Sequence, residues 1–291
     1  MHSLYDEKFK FILDVLQEAF IDSIKLIPFL FITYLIMEYL EHKTSAKTKS
    51  HIKKAGKMGP VIGSILGGFP QCGFSVSATN LYVGRVISLG TLIAVYLSTS
   101  DEMIPVFLSQ AVPVSIILKV LGIKVLIGIL CGILIDLIFK NKYEENNIKH
   151  MCEHDHCDCE HGIVKSAIKH TVNITFYIFI ISLIVNTLIN LVGRDTISSF
   201  VLNRPVLGPV IAGIVGLIPN CAASVIIAQL YIDKVISTGT MIAGLLVGAG
   251  VGLLVLIKEN DDIKENIKIV SLLYSIGVIF GIIFEACGLV L

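Results

Sequence analysis

Apolar stretches long enough to cross a hydrocarbon core of about 30 Å, which takes roughly 20 helical residues, recur from about Leu26 to the C-terminus. Backbone inside lipid must satisfy its own hydrogen bonds, so only helices and closed barrels cross a bilayer. Strand alternation is absent, and the stretches therefore read as helices. Candidate segments lie near residues 20–40, 59–81, 84–100, 103–118, 120–139, 170–192, 206–231, 235–257 and 267–290. Composition points the same way. Of 291 residues, 54% are hydrophobic and 16% charged, where a soluble domain carries about 25% charged residues. That balance argues against disorder and against an ordinary soluble enzyme. The 23 basic and 23 acidic side chains cancel, so no overall field steers the chain toward nucleic acid. Met1 to Phe11 mixes Asp6, Glu7, Lys8 and Lys10 and lacks the pattern of a removable signal peptide. The spacing of Phe9, Leu13, Leu16 and Phe20 suits a helix lying in the interface. The expected class is an all-α polytopic membrane protein.

The chain also repeats itself. An offset of 149 residues places Gly59-Pro60-Val61-Ile62 on Gly208-Pro209-Val210-Ile211, and 20 of the 39 positions from Gly59 to Leu97 are identical to their partners. The identities include Pro70/Pro219, Cys72/Cys221, Ser75/Ser224, Tyr82/Tyr231 and Thr91/Thr240, none a common apolar filler. The same offset pairs Gly128 with Gly277, Gly132 with Gly281 and Asp136 with Glu285. Such a duplicated multi-span unit is a usual construction of secondary transporters. Positive loops stay cytoplasmic, and the charge is distributed unequally. Residues 41–58 hold six lysines, while their counterparts at 190–207 hold only Arg194 and Arg204. Residues 98–109 hold no basic residue, while their counterparts run into the Lys258–Lys268 loop. Opposite biases at equivalent positions predict two inverted-topology repeats, residues 1–139 and 170–291, joined by a cytoplasmic linker at 140–169.

Glycine and proline make segments 59–81 and 206–231 poor continuous helices, since Gly disfavours a helix interior by about 1 kcal/mol and Pro by about 3. The interruptions fall mid-segment, at Gly67-Gly68-Phe69-Pro70-Gln71-Cys72-Gly73 and Gly216-Leu217-Ile218-Pro219-Asn220-Cys221-Ala222. Each predicts two half-helices, broken or re-entrant, meeting at the repeat interface, because open backbone at membrane depth must line a cavity or be buried in protein. Candidate substrate-binding residues there are Pro70, Gln71, Cys72, Ser75 and Asn80 from one half, with Ser77 nearby. The other half supplies Pro219, Asn220, Cys221, Ser224 and Gln229. The two symmetric cysteines offer soft sulfur to a thiophilic metal or metalloid; equally, buried cysteines often serve as small packing residues. Gly63, Ser64, Gly67, Gly213 and Gly216 read as residues that let helices approach closely.

Asp136 and Glu285 share one repeat position near a segment end. They could couple transport by relaying protons, or simply reach water at the interface. The linker contains His150, Cys152, His154, His156, Cys157, Cys159 and His161, seven potential ligands in twelve positions. That density predicts contact with a transition metal, although the spacing matches no finger pattern and leaves the ion open. No further cofactor is expected.

Both motifs, each followed by Val-Ile-Ser-Xaa-Gly-Thr-Xaa-Ile-Ala, resemble those of the ten-span heavy-metal exporter family, whose members are labelled arsenic efflux proteins or manganese transporters. They are more distantly similar to organoarsenical permeases with Pro-Xaa-Cys motifs. The second motif departs from the first in having Ala222 at the position of Gly73. The resemblance implies a multi-pass protein of the bacterial inner membrane that exports a heavy metal or metalloid. Taken with the two broken segments, it points to a secondary active transporter that moves arsenite or a divalent cation such as manganese by alternating access. Its partners would be that substrate and the lipid bilayer, with a homo-oligomer left open and no nucleic acid. No nucleotide-binding Gly-Lys-Ser/Thr loop occurs. Two alternatives stay in view: an intramembrane thiol-dependent enzyme, or a metal sensor or scaffold acting through the His/Cys loop. All eight histidines lie in loops or at segment ends, which leaves Cys72 and Cys221 without an evident base and favours a non-enzyme.

Overall fold

A computed structural model describes residues 58–70, 73–100, 103–139, 163–192 and 206–289, with helical positions scattered between 16 and 35. The start of the interfacial helix, the lysine-rich loop at 41–57 and the whole His/Cys cluster lie outside these residues. The described elements are helices joined by turns. They are α1 (Gly59–Gly67), α2 (Gly73–Val83), α3 (Leu89–Ser98), α4 (Met103–Ser109), α5 (Val114–Ile138), α6 (Ile163–Val192), α7 (Leu207–Gly216), α8 (Cys221–Ile232), α9 (Thr238–Val247), α10 (Gly252–Glu259) and α11 (Ile263–Ala286).

The sequence duplication is a duplication of structure. Helices α1 to α5 recur as α7 to α11 at the same 149-residue offset, with ends agreeing to within a residue or two. Local detail recurs too. Ser88 and Ser237 cap α3 and α9 by accepting the amides of Thr91 and Thr240, at 3.1 and 3.2 Å. Arg85 and Lys234, in the turns before those caps, share a left-handed φ of 58°.

Within each half, the first, third and fifth helices pack together: α1, α3 and α5, and α7, α9 and α11. Glycines set the spacing. A Cβ on Gly90 of α3 would lie 2.1 Å from the Gly132 carbonyl of α5, and one on Gly239 of α9 would lie 2.5 Å from the Gly281 carbonyl of α11. Gly67 and Gly216 likewise face the Val95 and Gly244 carbonyls at 2.7 and 2.4 Å. Lipid tails give helices no hydrophobic reason to associate, so this close backbone approach is a main source of packing attraction. The outer faces of α5 and α11 are apolar and exposed at matching positions: Leu118 and Ile267, Leu130 and Ile279, Leu134 and Ile283.

Between halves the contacts are reciprocal. Helix α2 packs on α10, its counterpart α8 packs on α4, and α3 meets α9 at the centre. Every residue of α3 and α9 is buried, and Leu92, Ile93, Leu97, Met241, Ile242 and Leu246 share one core.

Among the described residues, four stretches are long and apolar enough to cross a membrane: Leu89–Ser109, Val114–Ile138, Thr238–Glu259 and Ile263–Ala286. The divisions differ from the sequence segments in two places. The chain turns at 110–113, and Pro113, which has no N–H to donate, starts one continuous α5 where segments 103–118 and 120–139 were expected. Segment 235–257 is not continuous. It breaks between α9 and α10 at Gly248-Ala249-Gly250-Val251, where Gly250 adopts φ 57°. Its counterpart break separates Ser98 of α3 from Met103 of α4.

Candidate functional site

Both Pro-Xaa-Cys motifs interrupt helices. Helix α1 ends at Gly67, the amides of Gly68 and Phe69 turn back onto the Ser64 and Leu66 carbonyls at 3.2 and 3.1 Å, and α2 starts at Gly73. In the second half Leu217 closes α7, and the Asn220 side chain caps α8 by accepting the Ala222 amide at 3.0 Å. Pro70 is exposed and Pro219 half-buried. Gln71 and Cys72 lie outside the described residues, as does the side chain of Cys221, the first residue of α8. Ser224 is half-buried.

Polar residues of α2 are carried to the interface between halves. Ser75 is fully buried, and a Cβ on Gly252 of α10 would sit 3.0 Å from its own. One turn on, the Thr79 hydroxyl lies 2.6 Å from that of Tyr96 on α3, and both hydroxyls lie within hydrogen-bond reach of the Gly252 carbonyl, at 3.2 Å. The start of α10, just past the second-half break, is therefore held by hydroxyls from the first half. Next to Thr79, Asn80 is completely buried, and neither its amide oxygen nor its amide nitrogen has a hydrogen-bond partner among the described residues. Its counterpart Gln229 is half-buried and donates to Asp233 at 3.0 Å.

The paired carboxylates tie helices together. Asp136 of α5 accepts from the Ser88 hydroxyl at 2.6 Å and from the Gly90 amide at 2.9 Å, across the start of α3. Glu285 of α11 accepts from the Ser237 hydroxyl at the start of α9. A carboxylate facing orphan amides at a helix N-terminus is favourably placed, so the conserved register of these acids within the chain has a structural use.

Two features escape a reading of segments. Lys124 sits midway along α5, only 1% exposed, and its ammonium donates to the Thr99 carbonyl past the end of α3 and to the Leu245 carbonyl of α9 at 2.7 Å. A lone lysine in the middle of an apolar run was the available signal. The second is a cluster across the halves. Arg85 forms a two-pronged pair with Glu265 of α11 at 2.8 and 2.9 Å, and Tyr82 and Asn260 donate to the same carboxylate at 2.6 and 3.1 Å. Arg85 and Glu265 are 180 positions apart, and the pair has no repeat equivalent: Lys234 stands for Arg85, and Ile116 for Glu265. The pair is partly solvated, which weakens it, but the forked geometry and shared donors strengthen it. A double-mutant cycle of Arg85→Ala and Glu265→Gln, read by thermal unfolding, is expected to give a coupling of about 1 kcal/mol. A value indistinguishable from zero would make the pair incidental.

An open cavity of about 320 Å³ lies between α1, α2 and α3, lined by Gly63, Leu66, Phe74, Ala78, Thr91 and Val95 among others. Among the described residues no three His, Cys, Asp or Glu side chains gather as a metal site would need.

No curated protein and no solved structure matches the sequence. A family model described as "Putative, 10TM heavy-metal exporter" matches residues 7–204, which is more than half of the chain. The apolar spans and the duplicated helical unit are what a many-span membrane protein requires, and the chain belongs to this family of 10TM heavy-metal exporters.

Proposed function

We propose that the chain is a secondary transporter that exports a heavy metal or metalloid from the cell across the inner membrane. On this reading its two halves are inverted repeats that alternate access to a site between the Pro-Xaa-Cys breaks. The observation that carries the proposal is the reciprocal interlock of the halves, with α2 on α10 and α8 on α4. Exchanging half-helices between two like units is a geometry in which rocking one unit against the other opens a shared site first to one side and then to the other. The unequal lysine distribution supports inversion. A re-entrant α1–α2 pair is supported by the cavity that both helices flank along their lengths.

Cys72 and Cys221 would bind the substrate through sulfur, with Gln71, Ser75, Asn80, Asn220, Ser224 and Gln229 as oxygen or amide partners. Sulfur favours arsenite or a soft cation, and the oxygens would serve manganese. Pro70 and Pro219 keep the breaks open. Protonation of Asp136 or Glu285 would weaken the ties to α3 and α9 and so could couple proton movement to rocking. The linker ligands, His150 to His161, would gather metal at the cytoplasmic mouth.

The test has two stages. Cells lacking or overproducing the protein are screened for sensitivity to arsenite, manganese, zinc, cobalt and nickel. Flux of the responding ion is then measured in proteoliposomes for the parent, Cys72→Ser, Cys221→Ser and the double variant. Each single variant is expected to lose about tenfold or more, in keeping with the removal of one strong ligand. Undiminished flux in the double variant would remove the cysteines from the site, and no flux of any ion in the parent would favour a sensor.

A further inference from the structure

Helices α3 and α9 occupy equivalent places in the two halves, meet at the centre of the molecule and both end in mid-span. A helix C-terminus presents unpaired carbonyls and a partial negative charge. Two such ends approaching each other inside a membrane protein form a natural seat for a small cation, and interrupted helices of transporters bind coupling cations in this manner. Here the seat holds the Lys124 ammonium. It donates to the carbonyl of Thr99, the residue that caps α3 at its C-terminus, and to that of Leu245, in the last turn of α9. The surroundings are polar on one side, where Ser98, Thr99 and Ser100 are all buried. An ammonium buried this deeply stays favourable only where carbonyls or charges replace its water.

The repeat breaks its own symmetry at this point. Along α5 and α11 the buried positions correspond, as Val120 with Ile269, Gly128 with Gly277 and Gly132 with Gly281. Lys124 instead corresponds to Leu273, also fully buried. One half alone supplies a charge, and it spans both half-helix ends, so a single cation serves the pair.

We infer that the two half-helix ends form a monovalent-cation site and that Lys124 is the cation built into it, tethered through α5. The inference deepens the transport reading and rests on it for the meaning of the site. A transporter of this construction that would otherwise need a bound cation to hold its two interrupted spans together carries its own. Removing the ammonium leaves a carbonyl-lined space of the size of a short alkylammonium, which an external cation can fill.

The test uses the full-length protein in detergent and in proteoliposomes. Lys124→Ala is expected to unfold at a temperature lower by about 5 °C or more, because two carbonyls lose a charged donor. Ethylammonium or sodium chloride is expected to restore that loss saturably, whereas choline, too bulky to enter, is not. The parent is expected to be indifferent to all three. Lys124→Met, which keeps the length and removes the charge, is expected to be destabilised without rescue.

The inference is overturned if Lys124→Met matches the parent in stability, or if ethylammonium and sodium do no more for Lys124→Ala than choline does. Should neither neutral variant accumulate, Lys124→Arg decides. A folded arginine variant supports a requirement for charge, and its failure would make the position one of shape and overturn the inference. The stability arm reads the cation seat whether or not any metal moves, so absent flux in the parent defeats the transport reading without touching this result.

Discussion

Gly90→Ala is expected to lower the unfolding temperature sharply, while Gly122→Ala, on the helix that Gly90 faces, is expected to raise it slightly. The two substitutions are chemically identical and differ only in what the new methyl meets. At Gly90 it would fall 2.1 Å from the Gly132 carbonyl and 2.5 Å from the Asp136 carboxylate. Neither obstacle is free to yield. The carbonyl belongs to the backbone of α5, and the carboxylate is held by the Ser88 hydroxyl and the Gly90 amide. Relief requires α3 and α5 to separate, which loosens the closest helix contact of the first half. Overpacking a well-fitted site is unfavourable by roughly 1–3 kcal/mol and occasionally more, and a backbone obstruction belongs at the upper end. At Gly122 a Cβ meets nothing within 4 Å, so only helix propensity changes, a gain of up to about 1 kcal/mol. Gly239→Ala should repeat the Gly90 result in the second half, where the Gly281 carbonyl and Glu285 stand in the way. Thermal unfolding of the three variants checks the set. Equal stability of Gly90→Ala and Gly122→Ala would mean that α3 and α5 are not packed at this distance.

The glycine pairs were visible in the sequence, and so was most of what they imply. An offset of 149 that aligns Gly128 with Gly277 and Gly132 with Gly281 predicts two like units before any coordinate is known. The interruptions at Pro70 and Pro219 were also legible, since proline removes a donor wherever it stands. Of the second pair of breaks, the one after Thr99-Ser100 falls at the division between segments 84–100 and 103–118, but the one at Gly248-Ala249-Gly250 was not legible. It contains no proline, and hydropathy across 235–257 is uninterrupted, so period and composition both read as one helix. What opens the helix there is tertiary: Lys124 supplies the donors that the α3 and α9 carbonyls would otherwise take from their own next turns. The link between Arg85 and Glu265 was equally hidden, because a partner 180 positions away with no repeat equivalent leaves no local trace. The cysteines illustrate the opposite limit. Their symmetric spacing is clear in the sequence, while Cys72 and the side chain of Cys221 fall outside the described residues, so their placement still rests on the proposal.

Replacing Asn80 with leucine is expected to move stability and transport in opposite directions. The amide is fully buried on α2 with both polar atoms unpaired among the described residues, a state that native proteins largely avoid. Its isolation has a local reason. The equivalent Gln229 has a longer side chain and finds Asp233 one turn further on, whereas the residue one turn beyond Asn80 is Gly84, which has no side chain to offer. Leucine is close to asparagine in shape and has nothing to desolvate, so Asn80→Leu should leave unfolding unchanged or raise it by about 1–3 kcal/mol, the usual penalty of an unsatisfied buried group. If the amide is kept because it contacts substrate during the cycle, flux should fall about tenfold, the equivalent of one hydrogen bond to a charged or strongly polar ligand. Gln229→Leu, which removes a bond already made at a helix end, should have the smaller effect on flux and a mild loss of stability. Full flux in a more stable Asn80→Leu would show the amide to be a packing defect and strike it from the site. A marked loss of stability would show that Asn80 has a structural partner. The stability and flux measurements must be made on one preparation, because only their opposite signs separate a group held in reserve for a ligand from one that the fold itself uses.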